Sequence, residues 1–251
     1  MAKQTGIVRI SGTVGNLTFA QSPNGDEVRK RTTMDGQRMK TDKRFKRTRE
    51  NWSEFARAGK AAKILRKAFA QQAKPLSDRL SYSRLVTQTM KIVKSDPVSD
   101  RGQRQLILGD FSNLLGYEFN ITQSLKATYT GKLDLIIDRA AGTTDISIPA
   151  VVPDILIDEP TGATHFKYVA ACSELDWDAE DSISDFIESS ELLLGETELP
   201  PEALSLTFPA ASTKTIVVTL GIWFYQEVNG KYYLLSDGSN NAMAIVGVDN
   251  I

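Results

Sequence analysis

Polar and apolar residues alternate along most of the second half of the chain. From about Gly116 onward, seven segments show this period of two, which is typical of β-strands. The segments are YEFNITQSL, KLDLIID, TDISIPAVV, THFKYVAACSEL, TIVVTLGIWFYQEV, KYYLLS and AMAIVGV. Turn-rich stretches separate them, and Asn229-Gly230 is a strong hairpin signal. The pattern predicts an antiparallel β-sandwich over residues 106–251.

One of these segments is apolar on both faces. In IVVTLGIWFY, Ile216 and Val218 fall on one face, while Val217 and Trp223 fall on the other. Such a strand is either central beneath covering elements or part of an interface with another molecule. The sequence leaves both possibilities open.

Before this β region, the apolar spacing is helical. A first helix is predicted from an apolar stripe at spacings of three and four: Trp52, Phe55, Ala58 or Gly59, Ala62, Leu65 and Phe69. A second helix is predicted through Tyr82, Val86, Met90 and Val93, and Asp96-Pro97 ends it. Together the two helices form a predicted helical hairpin over residues 46–94.

The start of the chain is predicted to be a short β segment, residues 5–33. It contains two β-prone runs, and Asn24-Gly25 is a hairpin turn signal. So few strands are only marginally stable alone, so the segment needs a partner surface. We interpret it as an assembly arm that adds to a neighbouring subunit through Ile7, Val8, Ile10, Leu17 and Phe19. The predicted fold class of the whole chain is α+β.

Charge is distributed very unevenly along the chain. Residues 1–105 hold 24 Lys+Arg and 9 Asp+Glu, a balance of +15, whereas residues 106–251 hold 6 and 22, a balance of −16. We therefore divide the chain into a basic N-terminal region, 1–105, and an acidic β domain, 106–251. Such asymmetry suggests that one half meets a polyanion or that opposite halves meet each other. Pairing within one molecule and pairing between molecules both remain possible.

Nine cations of the basic region are candidate contacts to another subunit or to a polyanion. Like charges at helical spacing repel each other, so a partner should offset them. The candidates are Lys43, Arg44, Lys46, Arg47, Arg49, Arg57, Lys60, Lys63 and Lys67.

No catalytic, cofactor or metal site is predicted. His165 and Cys172 are the chain's only histidine and only cysteine, and their odd spacing in one predicted strand places them on opposite faces. We expect His165 at the surface and Cys172 in the core. The acidic run ELDWDAEDS matches a calcium loop only in part, and a solvated acidic loop is expected.

The opening MAKQTGIVRISGTVG lacks the continuous apolar stretch of a secretory signal, and no apolar run is long enough to span a bilayer. We expect synthesis in the cytoplasm, without a signal peptide or membrane span, which is compatible with release as a particle or filament.

Several segments resemble a family of uncharacterised bacterial proteins of similar length. The shared features are the Ala-Lys-Gln-Thr-Gly opening, the Arg-Thr-Arg-Glu-Asn helix start and the Phe-Tyr-Gln-Glu-Val-Asn-Gly hairpin. The resemblance implies a bacterial or phage-like origin and one integrated architecture, and it leaves function open.

We interpret the chain as a non-enzymatic, self-assembling structural protein, a homo-oligomer or polymer. Its N-terminal β segment and basic-to-acidic contacts would join subunits into a filament, tube, fibre or phage-like virion component. The alternative is a nucleic-acid-binding accessory protein that uses the basic helical region. An enzyme is a third reading, which the placement of the single histidine and cysteine does not favour.

Overall fold

The computed structural model describes residues 2–4, 10–21, 25–31, 36–76, 78–235 and 238–250. The chain divides into two compact units, residues 1–49 and 50–251. This boundary differs from the one expected near residue 105, because side chains of the helical hairpin and of the C-terminal strands share one hydrophobic cluster. The α+β class is confirmed.

The N-terminal unit contains a four-stranded antiparallel sheet with the strand order β1-β4-β3-β2. Its elements are β1 (Ala2–Lys3), β2 (Gly12–Val14), β3 (Leu17–Ala20), β4 (Glu27–Lys30), α1 (Gly36–Thr41) and a 3₁₀ turn at Lys43–Phe45. The N-terminal β segment is thus present as strands that pair with each other. Ile7, Val8 and Asn24 lie outside the described residues.

The helical hairpin is formed by α2 (Lys46–Ala68), a short α3 (Ala70–Ala73) and α4 (Ser81–Lys94). The side chain of buried Thr89 on α4 donates to the carbonyl of Ala58 on α2 at 2.9 Å. Alanines at the contact permit this close approach of the two helices.

The rest of the larger unit is mainly strands. Its further elements are a 3₁₀ turn at Phe111–Leu114, α5 (Leu125–Thr128), β5 (Asp134–Asp138), β6 (Thr143–Ile148), α6 (Pro153–Leu156), β7 (His165–Asp176), β8 (Asp181–Glu188), β9 (Leu192–Leu193), β10 (Glu202–Thr207), β11 (Thr215–Val228), β12 (Lys231–Leu234) and β13 (Ala242–Asp249). They form a six-stranded antiparallel sheet, ordered β12-β11-β7-β8 with β13 paired to β11 and β9 to β7, and a three-stranded sheet, ordered β10-β6-β5.

The central strands β7 and β11 are covered on both faces within the same molecule. One face of β7, including Phe166 and Cys172, packs with β6 and β10 of the three-stranded sheet. The opposite face, including Ala171 and Leu175, packs with the helices. The same division separates alternate residues of β11. The two-sided apolar strand is therefore central beneath covering layers, and its composition is explained without an interface.

A buried asparagine holds two distant segments together. Asn120 is fully buried, and its amide nitrogen donates to the carbonyls of Asn241 at 2.8 Å, Ser239 at 2.9 Å and Gly238 at 3.2 Å. Its amide oxygen accepts from the backbone N–H and hydroxyl of Thr122. This side chain anchors the segment that leads into β13.

The loop after α4 is fastened to α2 by polar contacts. Glu54 is 1% exposed and accepts the N–H of Gly102 at 2.7 Å. Arg57 donates to the carbonyls of Gly102 and Arg104, both at 2.9 Å. Within the loop, Asp96 accepts three backbone N–H groups. The loop is thus held in one conformation beside the helical hairpin.

Candidate assembly surfaces

The N-terminal sheet has one apolar face. Its register places Leu17 opposite Val14 on β2, and Phe19 opposite Val28 on β4. Because side chains alternate along a strand, these four lie on one face, and Thr13, Thr18 and Arg29 lie on the other. A 3.4 Å contact between the hydroxyls of Thr13 and Thr18 agrees with this register.

No described residue of the N-terminal unit is buried. Val14 is 65% exposed and Leu17 is 45% exposed, while Phe19 and Val28 are half-buried. A small sheet gains stability mainly by burying its apolar face, so this face is a candidate contact surface.

Three residues of the predicted assembly arm can be placed. Leu17 and Phe19 share the apolar face, and Ile10 lies just before β2, where its backbone exchanges two hydrogen bonds with the side chain of Gln4. Val14 was also among the apolar residues that the sequence indicated as needing a partner surface. Val28 was left out, although its position between polar Glu27 and Arg29 was the signal for the face it joins.

The basic cluster at residues 43–49 surrounds the start of α2. Lys43, Arg44, Lys46 and Arg47 are exposed. Arg49 is half-buried and donates to the carbonyls of Met39 at 3.0 Å and Asp42 at 2.8 Å, so it has a structural role inside its own unit. The first turn of α2 contains no acidic residue. Cations at the positive end of a helix dipole are unfavourable, so an external anion would interact favourably with the exposed Lys43 and Arg44.

Asp42 lies directly before the basic cluster, and its carboxylate interacts with two neighbouring arginines. It caps the 3₁₀ turn by accepting the backbone N–H of Arg44 at 2.9 Å, and it pairs with Arg38 at 3.2 Å. These two interactions hold the pKa of Asp42 below its usual value. It therefore remains ionised at neutral pH and offsets part of the local positive charge.

The basic stripe farther along α2 meets acidic groups of the same molecule. Lys60 pairs at 2.7 Å with Glu180, the last residue of the turn between β7 and β8, and Lys67 pairs at 2.9 Å with Asp181, the first residue of β8. The Lys60 ammonium, with Lys63 nearby, holds the pKa of Glu180 below its usual value. Arg57 is already used by loop carbonyls. At these positions the basic and acidic side chains pair with each other within one molecule. This is one of the two possibilities that the sequence left open.

The acidic run of the β7–β8 turn is occupied by protein partners. Asp176 accepts the N–H groups of Asp178 and Ala179 and pairs with Lys214 at 3.0 Å. Across the described part of the chain, no group of three or more His, Cys, Asp or Glu residues is arranged to hold a metal ion.

The aromatic residues at the start of α2 face away from the core. The sequence predicted Trp52 and Phe55 in the buried stripe, but Trp52 is 44% exposed and Phe55 is 60% exposed. The buried stripe instead comprises Glu54, Ala58, Ala61, Ala62, Ile64, Leu65 and Ala68. Trp52 and Phe55 therefore form part of a surface that sequence reasoning missed.

Cys172 is a core residue as expected, whereas the prediction of a surface His165 is wrong. Burial raises the pKa of the Cys172 thiol to about 11, so it stays protonated and unreactive at neutral pH. His165 is only 7% exposed, because its ring packs edge-on against Tyr232 at 4.7 Å between centroids. Its Nδ1 lies 3.0 Å from the hydroxyl of Thr164.

No protein-family model, curated protein sequence or solved structure matches the chain. In the described ranges, no helix has the length and apolar character needed to cross a membrane.

Proposed function

We propose that the chain is a non-enzymatic, self-associating structural protein. In this proposal, the apolar face of the N-terminal sheet of one copy packs on the larger unit of the next copy. The observation that carries it is a sheet with a distinct apolar face in a unit where no described side chain is buried. Main-chain and apolar contacts to a neighbour would supply the stability that so small a sheet lacks.

Charge favours a second copy of the same chain as the occupant. Residues 1–49 hold 12 Lys+Arg and 4 Asp+Glu, a formal charge of +8, and residues 50–251 hold 18 and 27, a formal charge of −9. Two N-terminal units would repel each other, whereas an N-terminal unit and a larger unit attract. The contact is therefore heterologous, and such contacts build rings or open polymers. Filaments, tubes, fibres and phage-like particles are all compatible with it.

The three-stranded sheet offers an acceptor surface with matching chemistry. Its strand β5 is at the sheet edge and alternates exposed Asp134, Ile136 and Asp138 with half-buried residues. Ile136 is 65% exposed and lies opposite Asp145 on β6. An apolar side chain flanked by carboxylates suits an apolar face carried by a basic unit.

Nucleic-acid binding is the second candidate function. It is favoured by the exposed Lys43 and Arg44, which lie just before a helix that has no acidic residue in its first turn. Phosphates would pair with these side chains, and the binding would fall steeply with salt. It leaves the apolar face of the N-terminal sheet without a role.

The two candidates are separated by a matched pair of variants. Val14→Asp places a charge on the apolar face, and Thr13→Asp places the same charge on the polar face of the same strand. We expect wild type and Thr13→Asp to form species larger than a monomer in sedimentation velocity and negative-stain electron microscopy, and Val14→Asp to be monomeric. Raising salt from about 0.1 M to about 1 M should weaken assembly, because charge attraction is then screened within about 3 Å.

Wild-type protein that stays monomeric across the concentration range would refute self-association. Equal behaviour of the two variants would exclude the apolar face as the contact. Retention on immobilised DNA at low salt, lost when Lys43 and Arg44 are both changed to Glu, would instead establish the second candidate.

A further inference from the structure

An open groove runs between the two long helices on their outer side. It has a volume of about 560 Å³, and its lining includes Phe55 from α2 and Tyr82, Val86 and Met90 from α4. A second depression, lined in part by Trp52 and Arg101, shares Phe55, Met90 and Lys94 with the first. The two depressions therefore form one continuous groove along the helical hairpin.

The floor of this groove is apolar and exposed. Besides Phe55 and Trp52, Tyr82 is 38% exposed. The core of the hairpin is filled from the other side of α2, so these aromatic side chains are not needed for it. Exposed apolar surface of this kind is unfavourable in water and marks interaction sites.

The accessible charges around the groove are positive. Lys91 and Lys94 stand at its rim, and the guanidinium of Arg66 lies over the Tyr82 ring at 5.6 Å. Arg101 lines the second part of the groove, and its charge is partly offset by Glu50 at 3.7 Å. Among its described lining residues the one carboxylate is Glu54, which is buried and bound to a backbone N–H. Charge complementarity therefore calls for a partner with negative charges beside apolar side chains.

We propose that this groove binds an acidic amphipathic helix of a partner protein. Two parallel ridges of helix side chains accept the apolar stripe of a third helix, whose flanking Asp or Glu residues would meet Lys91 and Lys94. The aliphatic side chains of Val86 and Met90 suit apolar side chains, and methionine adapts its shape to them. The site is separate from the assembly contact, so either proposal can fail without the other.

The test uses the full chain and a pair of designed, fluorescently labelled peptides of about 15 residues, a length that a helix can span. Both carry leucines at spacings of three and four, flanked in one by Glu and in the other by Lys. We expect the Glu peptide to bind in fluorescence anisotropy and the Lys peptide not to bind. Phe55→Asp should weaken Glu-peptide binding about tenfold or more. Ile155→Asp, an exposed apolar residue of α6 far along the chain, is the matched control and should not change it.

Charge reversal supplies the second arm. Lys94→Glu should weaken binding of the Glu peptide and improve binding of the Lys peptide, while circular dichroism shows that the variant is folded. The proposal is overturned if the Glu peptide does not bind, if Phe55→Asp and Ile155→Asp act alike, or if a single-stranded oligonucleotide binds at this groove in place of the peptide.

Discussion

Replacing Asn120 by Asp tests how the larger unit is held together. The substitution preserves the shape of the side chain but replaces the buried NH₂ group with an oxygen. In the wild type, the amide nitrogen lies 2.8 Å from the carbonyl oxygen of Asn241 and 2.9 Å from that of Ser239. The new oxygen would take about the same position. The bonds that this nitrogen donates to the carbonyls of Asn241, Ser239 and Gly238 are lost, and each carbonyl oxygen left without a donor costs about 1 to 3 kcal/mol. We therefore expect the free energy of unfolding to fall by about 4 kcal/mol.

The loss should depend on pH. A carboxyl buried among carbonyl oxygens is expected to have a raised pKa, because its ionised form is neither solvated nor hydrogen-bonded. A group with a raised folded-state pKa contributes stability below its unfolded pKa of about 3.9 and loses that contribution as pH rises. The difference between variant and wild type should therefore be small near pH 4 and larger near pH 7.

Urea denaturation followed by tryptophan fluorescence at the two pH values measures both effects. Asn113→Asp is the matched control, because this amide makes one 2.8 Å bond to the carbonyl of Asp110 at the surface. It should change stability by less than about 1 kcal/mol. If Asn120→Asp costs less than about 1 kcal/mol at pH 7, or its cost does not vary with pH, the anchoring role of Asn120 is refuted.

Two further predictions concern the assembly arm and acid stability. Deleting residues 2–33 removes all four strands of the N-terminal sheet but no residue of either hydrophobic core cluster. We therefore expect the truncated chain to be a folded monomer that forms no polymers. If circular dichroism shows that the truncated chain is unfolded, the arm hypothesis is contradicted. Burial alone would raise the pKa of Asp96, but three accepted N–H bonds hold it well below its usual range. Stability is therefore lost as pH falls below about 4. Asp96→Asn should lower stability at neutral pH and flatten this acid dependence in urea titrations, and an unchanged acid slope would contradict it.

The sequence predicted both long helices and six strands of the larger unit, since periodicity reports which side chains share a face. It also predicted a strand in YEFNITQSL, where the structure has only an isolated bridge at Glu118 and the short helix α5, and it missed β8 and β10. It could not predict how the layers stack. The alternation in β11 showed two apolar faces, but only the structure shows that helices cover one and a three-stranded sheet covers the other. Those contacts join residues far apart in sequence, which periodicity does not encode.

The helical stripe was misassigned at its start for a geometric reason. A step of three residues in an α-helix falls about 60° short of a full turn. Two such steps, from Trp52 to Phe55 and from Phe55 to Ala58, rotate the stripe by about 120°, so Trp52 and Ala58 face different directions. Two consecutive spacings of three residues were therefore the signal that Trp52 does not face the core. From that signal, an exposed aromatic surface at the start of α2 could have been predicted.

The sequence showed that one half of the chain is basic and the other acidic, but it did not show which charged residues pair with each other. Lys60 and Glu180 are 120 residues apart in the chain, and only the packing of α2 beside the β7–β8 turn brings them together. Such exposed pairs contribute little stability. The asymmetry on which the assembly proposal rests is the one between residues 1–49 and 50–251, the two compact units of the structure.

The central pairing of β7 with β11 also bears on how the chain reaches this structure. Its register joins Thr215 to Leu175 and Tyr225 to His165, partners that are 40 and 60 residues apart. The conformational entropy of such long loops is lost before the strand contacts that offset it can form. The sheet should therefore form more slowly than the helical hairpin. Until both layers close over it, β11 exposes apolar side chains on two faces. The interval before closure is therefore when a newly made chain is most prone to aggregate and most in need of a chaperone.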